Sequence, residues 1–418
     1  MDKIILKNSV WLLGAQVLTK VVAFFYTFFL AQNLSVGNNG IYFVALSYFS
    51  ILSSFADFGI SRFLIREISQ KKETATSYIL SATLLRVAIA FLIFICLSIV
   101  LLSYDHNQVR VTLSIIAVFA IIPQIIGITL DNVFASLQKF HISALGILIL
   151  NISNAIIGVF FIKSGFGPLG VVTALLLSQI VFVLALFVMF RKEHVVIEKV
   201  VTKKQIKEIL KGSIPYGLLS ILGLLYFRID ILLLSYIRGH EETAFYGLSY
   251  KFLEAVIFIP SAFGAALFPF LAEFQTKLKQ GITSTSDLKK FYYKSLLFMG
   301  VLGVVTLIGY IFVLPIVIRL FLPKYLASIQ TITILAFTIP FMFIHNPGVQ
   351  IILSTDKYLR LVIFLSVITL AFNLVFNFIL IPQYGYIGAA WVTVLSEIFS
   401  FLVFYWLLRA KFFKEDEK

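Results

Sequence analysis

Charge is what this sequence has least of. Only 13% of its 418 residues are charged and 60% are hydrophobic, whereas a soluble chain carries roughly 25% charged residues. That is too little polar surface to cover a soluble fold. A soluble enzyme, a nucleic-acid-binding protein and a disordered chain are excluded on this ground. Cysteine is nearly absent. Cys96 is the single one, it lies inside an apolar run, and no internal disulfide can form. Five histidines beside that one cysteine are too sparse for a metal site, and none is expected. No Gly-rich loop ends in Gly-Lys-Ser/Thr, so there is no P-loop for ATP, and no cofactor is expected. Among the charges that are present, acids are the scarcer sign: 20 Asp and Glu against 34 Lys and Arg, a net +14.

What the chain does have is long apolar runs. A bilayer core needs roughly 20 apolar residues per helical span. Such runs fall at 8–31, 41–64, 79–103, 111–133, 143–162, 168–190, 214–237, 244–271, 292–318, 325–352, 358–381 and 386–408. The runs at 41–64, 111–133 and 325–352 are the least clean. Lys3 and Lys7 precede the first run as in a signal peptide. That run is too long, however, is interrupted by Gln16 and Lys20, and has no small-residue cleavage site after it. It reads as a retained first helix.

The cations sort by side. Of the 34 Lys and Arg, 25 fall in the N-terminus, the breaks after even-numbered runs and the C-terminus. Five fall in the opposite set (Arg110, Lys163, Arg238, Arg319 and Lys324), and Lys20, Arg86, Arg228 and Lys251 lie inside runs. By the positive-inside rule both termini are cytoplasmic, and the chain is a multi-pass protein of the cytoplasmic (inner) membrane. The longest connection, 191–212, alternates Val200, Val201, Ile206, Ile209 and Leu210 with Lys199, Lys203, Lys204, Lys207 and Lys211. That pattern predicts a helix lying on the anionic leaflet, with a solvated linker as the alternative.

The two halves resemble each other. Leu6-Lys7 and Ser9 recur as Leu210-Lys211 and Ser213, and Tyr42 recurs as Tyr246, all at a spacing of 204. Phe58-Gly59 recurs one residue further on as Phe263-Gly264. Gly167, Gly170, Ser178 and Arg191 recur at a constant 218 as Gly385, Gly388, Ser396 and Arg409. Pro123 matches Pro340. Six spans is an even number, so both halves share one orientation, the parallel repeat of transporters. The expected architecture is an all-α polytopic membrane protein. About twelve transmembrane helices form two parallel six-helix lobes, 1–205 and 206–418, around a central cavity.

Polar residues at lipid depth should face protein or water. Ser9, Gln16, Lys20 and Thr27 fall within about 40° of one another on the first helix at 100° per residue. Ser47, Ser50, Ser54, Asp57 and Ser61 make a second stripe. Arg228 and Asp230 lie in the seventh run, and the repeat puts Arg228 within one turn of the level of Lys20. Lys251 and Glu254 are three apart and able to pair. Lys20 and Arg228 have no carboxylate three or four residues away and read as cavity cations. Arg86 is a further candidate. Asn151, Asn154, Asn373 and Asn377 read as interhelical glue, and His345 as structural. Pro123, Pro260, Pro269, Pro315 and Pro340 should kink their spans. The four core cations are matched by four carboxylates, Asp57, Asp230, Glu254 and Glu397, so the count alone does not make the lumen anion-selective.

Several segments carry a family resemblance. They are Lys20 in its stripe, Gly40-Ile41-Tyr42, Asp57-Phe58-Gly59 running to Arg66-Glu67, Tyr226-Phe227-Arg228-Ile229-Asp230 before Leu232-Leu233-Leu234, Phe245-Tyr246-Gly247, Tyr250-Lys251, and Ile259-Pro260 through Phe268-Pro269. Together they resemble the polysaccharide-exporting (O-antigen, Wzx-type) flippases of the multidrug/oligosaccharidyl-lipid/polysaccharide (MOP) exporter superfamily. The resemblance implies a transporter, not an enzyme, flipping a polyprenyl-diphosphate-linked oligosaccharide from the cytoplasmic to the outer leaflet for cell-surface polysaccharide biosynthesis, by alternating access of two lobes. By motif match the headgroup residues are Lys20, Arg228 and Lys251, with Asp57 and Asp230 beside them. Arg86 joins them on the residue reading alone. Asp57, Asp230 and Glu254 are the candidates for ion coupling. The implied partners are the lipid-linked oligosaccharide and membrane lipids, with other polysaccharide-assembly proteins as further candidates, no nucleic acid, and a monomeric chain. Two alternatives stay open: an ion-coupled drug antiporter of the MATE type, whose cavity should be acidic, and a membrane glycan polymerase or ligase, against which the repeat and the short outer loops argue.

Overall fold

A computed structural model describes residues 2–70, 75–193, 201–280, 282–354 and 356–413. The described residues are helical almost throughout, and no strand occurs among them. The chain divides into two compact units, Met1–Leu232 and Leu233–Lys418.

The first unit contains α1 (Asp2–Asn33), α2 (Val36–Asp57), α3 (Ile60–Gln70), α4 (Ala75–Tyr104), α5 (Gln108–Phe119), α6 (Ile121–Ser136), α7 (Phe140–Lys163), α8 (Gly167–Lys192) and most of α9 (Lys203–Ile237). The second contains α10 (His240–Lys279), α11 (Thr285–Phe321), α12 (Ser328–Ala336), α13 (Thr338–Leu353) and α14 (Leu359–Phe412). All twelve apolar runs are helical. Those at 358–381 and 386–408 are the two limbs of α14, separated at Gly385, where φ is +56° and ψ −137°.

One run needs correction, and two carry a break beside an expected proline kink. The run at 41–64 is two helices, because Phe58 and Gly59 take positive φ of 44° and 75° and end α2 before α3 begins. The runs at 111–133 and 325–352 are each interrupted, at Ala120 and Phe337. Pro123 and Pro340 sit three residues beyond, in the first turn of the following helix, where a missing N–H costs no helical bond. The expected leaflet-bound helix within 191–212 is also corrected. Lys203–Gly212 is the start of α9, which runs unbroken into the seventh span. Its first turn is capped reciprocally: the Gln205 N–H donates to Thr202 Oγ1 at 3.2 Å and the Thr202 N–H to Gln205 Oε1 at 3.0 Å. Lys199 and Val200 lie outside the described residues.

The start of α9 stays with the first unit because its apolar side chains are used there. Ile209 joins Ile60, Phe63, Leu64 and Ile68 of α3, Ile79 of α4, Phe134 of α6 and Phe190 of α8 in one buried cluster. On α3 these apolar positions recur at i, i+3, i+4 and i+8, one face of a helix.

The internal repeat is structural. Gly167 has the same φ as Gly385, 55° against 56°. A Cβ on Gly170 would lie 2.9 Å from the Cβ of Phe166, and one on its counterpart Gly388 would lie 3.2 Å from the Cβ of Tyr384, which also lies 218 residues on. The breaks at Ala120 and Phe337 precede their prolines by the same three residues.

Candidate functional site

The bend after α2 builds a polar cluster in the first unit. Gly59 is required there. A Cβ would lie 2.3 Å from the Gly217 nitrogen and 2.7 Å from the Ser213 carbonyl of α9, and the φ is left-handed. The bend returns Ser61, on the first turn of α3, to Asp57, and the Ser61 hydroxyl donates to Asp57 Oδ1 at 2.6 Å. Arg86 of α4 enters the same space. Its Nη2 donates to Asp57 Oδ1 at 2.5 Å and to Ser61 Oγ at 2.8 Å, and its Nη1 to Thr129 Oγ1 of α6 at 2.8 Å. Asn132 of α6 adds a bond to Ser61 Oγ at 2.9 Å. The Arg86 side chain is 0% exposed and Asp57 17%. Two charges out of water survive only when paired and hydrogen-bonded, and here each meets the other. The cluster brings together two of the expected site residues, Arg86 and Asp57. Ser61, Thr129 and Asn132 complete it. Only Ser61 stood in a recognisable polar stripe.

The other expected residues of this unit lie on α1 and α9. Lys20 is exposed on α1. Arg228 is half-buried on α9 and acts electrostatically on Tyr42 of α2, which is buried. Tyr42 in turn neighbours Tyr26 of α1. Tyr26 fills the space over Gly158 of α7, where any Cβ would lie 1.9 Å from its hydroxyl. Asp230 is 1% exposed, and its Oδ1 accepts the Ile231 N–H at 2.8 Å. Tyr26 and Tyr42 were not among the expected site residues. The recurrence of Tyr42 as Tyr246 was the available signal.

In the second unit Lys251 Nζ and Glu254 Oε2 form an ion pair at 3.0 Å, each side chain about one-fifth exposed (22% and 23%). A buried amide chain links the two limbs of α14. Asn377 Nδ2 donates to Asn373 Oδ1 at 3.0 Å, and Asn373 Nδ2 to Ser396 Oγ at 3.3 Å, with Glu397 buried beside them. Asn373 thus joins two helical limbs, as glue should. Asn151 bonds its own helix instead, donating to the Ile147 carbonyl at 2.8 Å. Tyr246, the counterpart of Tyr42, shares a hydrogen bond of 2.9 Å with Thr393. His345 lies against the Phe404 ring at 5.0 Å between centroids. Among the described residues no three His, Cys, Asp or Glu side chains gather as a metal would need.

The sequence profile of the polysaccharide biosynthesis proteins matches residues 5–275, well over half of the chain. The chain belongs to that family. A curated relative, an uncharacterized membrane protein of Methanocaldococcus jannaschii, is 26% identical over 96% of this chain and 83% of its own length. Among solved structures, the lipid II flippase MurJ in an inward closed conformation aligns with a TM-score of 0.71 at 16% identity, over 94% of this chain and 86% of MurJ. The MATE multidrug transporter DinF-BH aligns equally well, at a TM-score of 0.71 and 15% identity over 98% and 96% of the two chains. These likenesses establish the fold, that of the MOP superfamily transporters. This member of the polysaccharide biosynthesis family is a multi-pass membrane protein with a transporter fold.

Proposed function

We propose that the protein flips a polyprenyl-diphosphate-linked oligosaccharide from the cytoplasmic to the outer leaflet, by alternating access of its two six-span repeats. One observation carries this reading over drug antiport. Among the expected site residues of the first unit, the two acids are bound and Lys20 is exposed. Asp57 is bound by Arg86 and Ser61, Asp230 is buried against the backbone, and Lys20 is exposed. A cationic drug would need an accessible carboxylate, whereas a diphosphate needs cations. In unit two, Lys251 and Glu254 offset one another. Lys20, Arg228 and Lys251 are the headgroup contacts in this reading. Arg86 holds Asp57 rather than meeting substrate directly, and Asp57, Asp230 and Glu254 remain the candidates for ion coupling. Both termini are cytoplasmic, and no covalent step is catalysed.

A glycan with two phosphates cannot cross hydrocarbon unaided, and charge-assisted bonds from such cations replace water at about 1.5–3 kcal/mol each. The test is export in a strain lacking the chromosomal copy. Lys20→Ala and Arg228→Ala should trap lipid-linked glycan on the cytoplasmic side at normal protein abundance. Normal export by both variants at normal abundance would refute the assignment. The equal structural likeness to a multidrug transporter keeps drug antiport as the second reading. Drug resistance that depends on Asp57 or Asp230, with glycan export intact, would favour it.

A further inference from the structure

The charges of α3 and of the first turns of α9 are sorted to opposite flanks. On α3, Ile60, Phe63, Leu64 and Ile68 form the buried face, and at 100° per residue Arg62 and Arg66 point away from it. On α9, Ile209, Gly212 and Ser213 face the protein, and Lys203, Lys204, Lys207 and Lys211 point away. All six cations are exposed. The two acids go the other way. Glu208 accepts the Tyr78 hydroxyl at 2.7 Å, and Glu67 is near enough to act on the same hydroxyl.

The two helices lie side by side in antiparallel register. Gly59 meets Gly217. A Cβ on Gly212 would lie 2.5 Å from the Phe63 ring. Tyr78, packed on Phe63 at 5.9 Å, reaches Glu208. The Arg62 guanidinium lies 5.9 Å from the Tyr216 ring centroid. The outward sides of the two helices thus carry six exposed cations between them. Among the described residues none of the six has an ion-pair partner.

We propose that this surface docks the headgroups of anionic phospholipids. Three features select a charged leaflet over a single diphosphate ligand. Both cationic faces point outward, away from the helices' packed faces. Four of the six are lysines, hydrated point charges rather than the planar forks that suit bidentate recognition. The surface also stands at the right height. α9 has 35 residues, about 52 Å at ~1.5 Å per residue, against a hydrocarbon core of about 30 Å. Its polar first turns therefore project past the core to the level where anionic lipids attract juxtamembrane cations. Ile209 and the apolar face of α3 are spent on protein contacts, so the attraction rests chiefly on charge and must be screened by salt. This inference does not depend on the transported substrate.

The test uses the full chain purified in neutral detergent, with thermal unfolding as the readout and phosphatidylglycerol, phosphatidylcholine and farnesyl diphosphate as probes. Phosphatidylglycerol should raise the midpoint and phosphatidylcholine should not. The apparent affinity for phosphatidylglycerol should fall about tenfold or more in the six-fold variant R62Q/R66Q/K203Q/K204Q/K207Q/K211Q. It should fall similarly for the wild type between roughly 50 and 500 mM salt. Changing the four lysines to arginine should leave it in place, and the farnesyl diphosphate response should be the same in all variants. If the six-fold variant does not fold, K207Q/K211Q alone should show a drop of about threefold. No phosphatidylglycerol response in the wild type, or one that survives neutralisation or salt, overturns the proposal. So does a variant that loses the farnesyl diphosphate response and keeps the phosphatidylglycerol one, which would mark a diphosphate site instead.

Discussion

The second spanning helix is built differently in the two halves, although both carry Phe-Gly at matching positions. In the first unit α2 stops at Asp57, and Phe58 and Gly59 swing the chain through positive φ into the separate helix α3. In the second unit α10 passes Gly264 without a break and continues to Lys279, 40 residues in all. Gly59 is small because backbone atoms of α9 press on it. Gly264 is small because the side-chain ends of Asn346 and Gln350 on α13 reach over it. The repeated dipeptide has kept its need for a missing side chain and changed the reason for it. The polar interiors diverge with it. The bend in the first unit creates the space in which Arg86 meets Asp57, whereas in the second unit neutral amides bridge the two limbs of α14 and Lys251 pairs with Glu254 within α10.

The largest effect expected from this difference concerns the interiors. Arg86→Ala leaves the Asp57 carboxylate without its cation, which should cost about 3–5 kcal/mol. Asn373→Ala removes a neutral interhelical bond to Ser396 and should cost only about 0.6–1.7 kcal/mol. Thermal unfolding of the purified variants compares the two. The double variant Arg86→Leu/Asp57→Leu should recover most of the loss, because two well-packed apolar groups replace a buried pair at little cost. Equal costs for Arg86→Ala and Asn373→Ala would break the comparison.

The two glycines come next. Gly59→Ala meets both a left-handed φ and backbone atoms at 2.3 and 2.7 Å, which cannot rotate away. A loss of about 3 kcal/mol or more is expected. Gly264→Ala meets Asn346 Oδ1 at 2.6 Å and Gln350 Nε2 at 2.7 Å, the ends of flexible side chains. A loss within about 1 kcal/mol is expected once they turn aside. The same unfolding assay decides. A Gly264 variant as damaged as the Gly59 one would mean that α13 holds those amides rigidly.

Much of this was legible in the sequence, and the failures have physical causes. The spans show because hydropathy reports burial in lipid directly. The repeat shows because glycine and proline mark backbone positions, and Gly167 and Gly385 do share one positive φ. Helix α3 did not show. Phe58-Gly59-Ile60 is as apolar as the span before it, and nothing in composition registers a change of φ. The breaks at Ala120 and Phe337 were signalled by prolines but lie three residues upstream, since proline fits the first turn of a new helix. The start of α9 looked interfacial because alternating Ile and Lys reads alike whether lipid or protein covers the apolar side. Arg86 and Asp57 were each singled out, but their pairing across 29 residues depends on the bend at Gly59, which only the fold supplies.

The smallest expected effects belong to the paired breaks at Gly167 and Gly385. The φ angles match, but the surroundings do not. Nothing lies within 4 Å of a Cβ on Gly167, whereas one on Gly385 would sit 1.9 Å from Glu242 Oε2. That carboxylate accepts the Tyr386 N–H at 3.0 Å, at the start of the second limb of α14, and the Arg238 Nε–H at 3.0 Å. It thereby ties the start of α10 to the middle of α14. Gly167→Ala should cost only the strain of the left-handed backbone, about 1 kcal/mol, and Gly385→Ala should cost more because Glu242 must also move. Glu242→Gln keeps the shape and loses the charge, and should cost about 1 kcal/mol, since the group is partly exposed to water. A double-mutant cycle isolates the contact. Glu242→Ala removes both the bond to Tyr386 and the obstacle at Gly385, so Gly385→Ala/Glu242→Ala should cost less than the sum of the single variants by roughly 1 kcal/mol. Unfolding costs that simply add would show that the carboxylate does not press on Gly385 in solution, and the two breaks would then be equivalent.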